Sequence, residues 1–368
     1  MVTESEKRRY LTMLGDAPRG RIIHSEAWSN PDAETYLTGY DYYGQHRQCR
    51  IRMRELYPEL GLEVPETDAP KPRPKMDLTG ITSDRVKHTV RWGDGETGTY
   101  EHGEKYFKRE EDVFAFDPLE HADMRGWPHV VNNWDFSSEE AVYERFRKDY
   151  PAEWDKAPEY SCASVGIYNT MFMWPMLTFG WEMFLACCLD ERFEPVMEGF
   201  AELNRRAFRA FARLPVNFVI CHDDIVMTRG LVCGRKWMHK YIYSRYVEFW
   251  AMCKAAGKTV IFVTDGNAND VIDDVAACGA AGLISEPYTD YRAIARRYKD
   301  FFMAGEGDNR VLYRGDPAEI KAMFDGMMET SRMTKGYSLS IGNHIPWNVP
   351  PQSVKLYLDL CNEYGYRD

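Results

Sequence analysis

From about residue 160 to the C-terminus, short apolar runs alternate with amphipathic stretches at intervals of roughly 20 to 40 residues, and this rhythm limits the fold more than any other feature. The runs predicted as strands are 162–168, 216–221, 259–263, 281–285, 301–304 and 337–341. The stretches predicted as helices are 171–189, 193–214, 236–256, 268–278, 291–298, 317–330 and 351–364. Buried-type strands separated by helices give a parallel sheet, because each crossover helix returns the chain to the same end of the sheet. Such a sheet either closes into a barrel or stays open and doubly wound. No G-x-G-x-x-G turn follows a strand, so the expected fold is a (β/α)₈ TIM barrel over residues 131–368.

Residues 1–130 have a different texture: polar, turn-rich and without that alternation. Pro70, Pro72 and Pro74 favour an extended, exposed connection. Residues 88–92 and 97–101, separated by Gly93-Asp94-Gly95, read as a β-hairpin, with a further turn at His102-Gly103. The region is predicted as an N-terminal extension covering the barrel, not as an independent domain.

The net charge of −11 argues against nucleic acid and anionic membrane as partners, since neither attracts an acidic surface. Residues 1–20 lack the apolar core of a signal peptide, and the most apolar stretch, 171–189, is broken by Pro175, Gly180 and Glu182. The nine cysteines form no C-x-x-C or framework spacing, so reduced, buried thiols in a cytoplasmic protein are expected. The 10 Trp, 23 Tyr and 18 Phe suit a bulky core; a pocket for a flat organic molecule is the other use of such content.

In a (β/α)₈ barrel the reactive groups lie just after each strand, at its carboxyl end. The residues there are His222-Asp223-Asp224, Asp265-Gly266-Asn267, Glu286-Pro287, Glu306 with Asp308, and Asn343-His344. One such residue is ordinarily a helix cap, but five strand ends in succession predict a convergent polar site. Asp223, Asp224, Asp265 and His344 are the expected acid–base groups. Asn267, Asp308, Asn343 and Trp347 are the expected substrate contacts. His222, Asp265, Glu286 and His344 form a plausible nitrogen and oxygen ligand set for Zn²⁺, although the same residues serve acid–base chemistry without metal.

Five motifs resemble the uroporphyrinogen decarboxylase superfamily in order and spacing. They are Cys221-His222-Asp223-Asp224 with the following Gly230, Trp237 and Tyr246; the segment 257–267; the segment 282–287; Gly315-Asp316-Pro317; and the closing segment 336–351. The porphyrinogen decarboxylases carry an Arg-Gln-Ala-Gly-Arg segment for substrate carboxylates, and this chain has none. The thiol-methylating corrinoid enzymes hold zinc with His-x-Cys and a distant Cys. At those positions this chain has Val263, Asp265 and Asn343, so a thiolate site is not expected.

What remains resembles the methyltransferases of O-demethylase systems. That resemblance implies transfer of a methyl group from a methoxylated aromatic to the cob(I)alamin of a partner corrinoid-binding protein. The alternatives are a decarboxylase or lyase acting on a smaller carboxylic acid, with Asp223 or Asp265 as proton relay, and a non-catalytic corrinoid- or tetrapyrrole-binding protein.

Overall fold

The computed structural model describes residues 3–68, 70, 87–91, 97–101, 106–125, 134–149 and 159–367. Its framework is a series of parallel strands: β1 (Ile23–His24), β2 (Ser164–Tyr168), β3 (Phe218–His222), β4 (Thr259–Val263), β5 (Gly282–Ile284), β6 (Phe302–Ala304) and β7 (Ser338–Leu339). β2 to β6 form one sheet in which every strand lies beside its predecessor in the chain. β7 continues the row through parallel bridges from Met303 to Tyr337 and from Gly307 to Ile341. β1 then pairs with β7, Ile23 opposite Ser338 and His24 opposite Leu339.

A doubly wound sheet reverses its strand order about a central crevice, and this row does not reverse. Its order is that of a TIM-barrel-like wall. Among the described residues, β2 and β1 are not bonded to each other, so seven strands are described and the closed eight-stranded ring of the sequence expectation is not shown. The place of β1 was not anticipated: a piece of the N-terminal region serves as wall.

Local chemistry explains the elements. β4 reads Thr-Val-Ile-Phe-Val, four β-branched residues of five, and its three central residues are buried, as suits a strand covered on both faces. Lys258 introduces it by donating from Nζ to the carbonyls of Leu214 (2.6 Å) and Val216 (2.9 Å). Helix Pro317–Ser331 starts on the Asp316 carboxylate, which accepts from the Ala318 N–H at 2.8 Å, and has Pro at its first position. The predicted run 171–189 is two helices, Met173–Phe179 and Trp181–Cys187, because Gly180 between them takes a left-handed φ of 86°. The run 236–256 holds a π-helical turn, His239–Tyr243, before helix Ser244–Ala255.

Of the predicted hairpin the two antiparallel strands are described, Lys87–Arg91 and Thr97–Glu101, while Trp92 and the Gly93-Asp94-Gly95 turn lie outside the described residues. Its second turn, at His102-Gly103, and Pro72 and Pro74 lie outside the described residues.

Much of the aromatic content is core. Trp174, Trp250, Tyr246, Phe172, Phe184 and Phe200 are almost fully buried, and Tyr246 stacks on Trp250 with ring centres 4.6 Å apart. Burying each such side chain contributes about 1.5–3 kcal/mol. The two ends of the chain are joined: Gly20–Arg21 pairs antiparallel with Tyr366–Arg367, and the buried Arg367 guanidinium donates to the carbonyls of Ala17, Ser331 and Lys335. No described helix is long and apolar enough to cross a membrane.

Candidate active site

A cavity of about 590 Å³ runs inside the strand row. Its walls are apolar, with Ile220, Ile261, Ile284 and Phe302 pointing inward from four successive strands. Its rim is polar and lies at the carboxyl ends of the strands, where His222, Asp265, Asn343 and His344 gather. The parallel register explains the gathering, because His222 and Val263 are paired last residues of β3 and β4. The turn Asp265-Gly266 therefore begins two residues beyond His222's own level.

Asp224 locks the two strand ends together. Its Oδ1 accepts the Asp265 N–H at 2.8 Å and lies 3.1 Å from His222 Nε2. His222, Asp224 and Asp265 each offer one ligand atom, and these atoms lie within 4.8 Å of one another. The Asp265 carboxyl is pushed up to about 6 by burial first and then by Asp224 and Glu286, while His222 opposes the shift. Asp265 also accepts from Asn343 Nδ2 at 3.2 Å, and Asn343 Oδ1 lies 2.5 Å from His344 Nδ1, so a polar chain leads from β4 to the segment after β7. Asn343 holds a left-handed φ of 65°, which turns its side chain back over the mouth. The Tyr168 ring leans on His222 with centres 3.9 Å apart.

The predicted site residues divide into three groups. His222, Asp224, Asp265, Asn343 and His344 are brought together at the rim. Glu286 is adjacent but outside the ligand trio: it accepts the Gly266 N–H at 2.8 Å and props the turn that carries Asp265. The three-residue cluster thus contains Asp224 where Glu286 and His344 were expected.

Asp223, Asn267, Asp308 and Trp347 do not line the cavity. Asp223 is fully buried on the other face of the chain, accepting from Thr170 Oγ1 (2.7 Å), Tyr246 OH (2.7 Å) and the N–H groups of Phe172 and Met173 (both 2.8 Å). With four donors on one carboxylate and no contact with the cavity, its geometry is that of a core bracket. Asn267 accepts from Asn269 N–H, and Asp308 caps helix Asn309–Arg314. Trp347 is half-buried, just beyond strand Ile345–Pro346.

The trio suits a metal in its donor chemistry: one imidazole nitrogen and two carboxylates, with room for further ligands from the cavity side. Cys221 and Cys233 are unsuited to it. Burial pushes the Cys221 thiol up, while the Cys233 thiol is raised by a hydrogen bond with the free Cys188 thiol and by burial. Cavity residues that the sequence did not suggest are Arg9 and Met13 from helix Glu4–Met13, Ser25, Tyr168, Ser338 and Ser340.

Residues 185–364 match the uroporphyrinogen decarboxylase family model. The C-terminal half of the chain is uroporphyrinogen decarboxylase-like. All of the rim's acid and imidazole residues fall within that segment, whereas Arg9, Ser25 and Tyr168 come from outside it. No curated protein sequence matches the chain. Among solved structures, a methyltransferase from Methanosarcina mazei superposes with a TM-score of 0.54 at 15% identity, covering 98% of each chain. That likeness spans the uroporphyrinogen decarboxylase-like half and the N-terminal region alike, and it is a likeness of fold.

Proposed function

We propose that this protein is a cytoplasmic methyltransferase that moves the methyl group of a methoxylated aromatic onto the cob(I)alamin of a partner corrinoid protein. The observation that carries the reading is the His222–Asp224–Asp265 cluster at the open rim of a cavity whose walls are largely apolar. Supporting it are the uroporphyrinogen decarboxylase-like segment and a fold shared with a protein described as a methyltransferase.

The reaction breaks a carbon–oxygen bond whose electron pair stays on oxygen. An unassisted phenolate is a poor leaving group, since its conjugate acid has a pKa of about 10. The enzyme must therefore stabilise or protonate that oxygen. Asp265, with its proton held to about pH 6, is placed to hydrogen-bond or protonate an oxygen at the rim. Asn343 orients the Asp265 carboxyl, and His344 extends the polar edge toward solvent. The apolar walls hold an aromatic ring and exclude water from the oxygen. His222, Asp224 and Asp265 are the residues that would hold zinc, which when bound would supply Lewis-acid polarisation of the oxygen in place of the Asp265 proton.

Incubation with a panel of methoxylated aromatics and reduced corrinoid protein tests the proposal. Stoichiometric release of the corresponding phenols supports it. Release of carbon dioxide from a carboxylated aromatic, with the methoxy group retained, would replace it by the lyase reading.

A further inference from the structure

The cavity holds a cation that the chemistry at its rim does not use. Arg9 and Met13, one turn apart on helix Glu4–Met13, both line it. Tyr10, between them, packs edge-on against Phe218, the first residue of β3, with ring centres 5.7 Å apart. The helix therefore enters from the amino ends of the strands, whereas His222, the last residue of β3, stands at the rim. Four residue steps of a strand separate the two levels by about 13 Å.

Arg9 has few partners. Among the described residues its hydrogen bonds leave from one nitrogen, Nη2, to two backbone carbonyls, His24 at 3.3 Å and Glu59 at 2.5 Å. Among the described residues no carboxylate lies within ion-pair distance of it. The nearby Glu59 carboxylate is taken up by Arg8 at 2.6 Å, Arg21 at 3.6 Å and the Ser5 hydroxyl at 3.0 Å. A guanidinium drawn out of water without an anion is unfavourable, and its planar fork matches a carboxylate in two parallel bonds.

We propose that Arg9 receives a carboxylate on the substrate, so that the cavity selects aromatic acids over their neutral counterparts. The inference rests on the cavity being the methyl donor's site, and it narrows the donor to a methoxylated aromatic acid. Arg9 holds the carboxylate at the inner end, away from Asp265, so the carboxylate is a handle and the methoxy group faces the rim. The walls between the two ends, Ile23, Ile220, Ile261 and Phe302, take the ring.

The test is calorimetric binding of 4-methoxycinnamate and 4-methoxycinnamamide, two ligands that differ in charge at one end. Wild type is expected to bind the acid at least tenfold more tightly than the amide, as suits a charge-assisted pair of hydrogen bonds. Arg9→Met is expected to weaken the acid by that factor and leave the amide unchanged, while Arg9→Lys keeps part of the preference. Should Arg9→Met fail to fold, the acid-to-amide ratio of wild type still decides. Equal binding of the two ligands by wild type, or a preference that survives in Arg9→Met, overturns the role of Arg9 and leaves the cavity as a substrate site. Binding of neither ligand overturns both.

Discussion

Asp224 accepts the backbone N–H of Asp265 through the same carboxylate oxygen that faces His222, and so fixes the spacing of two neighbouring strand ends. Asp224→Ala removes a ligand atom and this tie together. It is expected to weaken zinc binding by at least 10- to 100-fold, a loss of the size seen when a ligand's support is removed. Competition against a chromophoric chelator measures it, and unchanged affinity would place the metal elsewhere.

Zinc binding should also depend on pH in a defined direction. Asp265 must give up its proton to act as a ligand, and its pKa is raised from 3.8 to about 6. Affinity is expected to rise as pH increases from 5 to 7 and to lose that step in Asp265→Asn. Chelator competition across this range separates the two. A flat profile in wild type argues that Asp265 does not ligate.

Asp223 and Asp224 show where the sequence stops being informative. Both follow β3, and chain position alone does not say which faces the mouth. The strand's pleat sends Asp224 to the rim and Asp223 to the opposite face, against Thr170 and Tyr246. Longer elements were legible because their periodicity is long: Thr259–Val263 and Pro351–Tyr364 have the boundaries that the apolar pattern indicates. β1, at two residues, is too short to carry a period, and its place depends on pairing with β7, more than 300 residues away. Arg9 was illegible for a related reason. One arginine in a charged helix reads as solvated, and only the packing of Tyr10 on Phe218 shows which face turns inward.

The structural role of Asp223 gives a prediction opposite to the one for Asp224. Asp223→Ala leaves two backbone N–H groups and two hydroxyls without their shared acceptor, which should cost about 3–5 kcal/mol of stability. Urea unfolding measures that loss. Full stability together with lost methyl transfer would make Asp223 a catalytic group after all.

A second buried pair predicts sensitivity to alkali. His24 lies 2.8 Å from Glu26, which also accepts from Tyr357 OH at 2.7 Å and from the Ile341 N–H at 3.0 Å. Burial opposes the charge on His24, but Cys361 and Glu26 together raise its pKa from 6.5 to about 10. A raised histidine pKa stabilises the fold fully below about 6.5, and that contribution is lost as pH climbs toward 10. Wild type should lose unfolding free energy between pH 7 and 10, and His24→Gln should be less stable at pH 7 with a flatter profile. Parallel slopes for the two proteins in urea titrations would count against a charged His24.

Single-turnover methyl transfer tests the central claim most directly. The enzyme, a methoxylated aromatic acid and reduced corrinoid protein are mixed, and the decay of the cob(I)alamin absorbance is followed in wild type, Asp265→Ala and His344→Ala. Loss of the electrophilic Asp265 contact in a dry site is worth about 2.7–4 kcal/mol of barrier, so Asp265→Ala should retain its fold and slow by roughly a hundred- to a thousandfold, and His344→Ala should retain its fold and slow as well. Decay at the wild-type rate in both variants would contradict the assignment of the reaction to this rim.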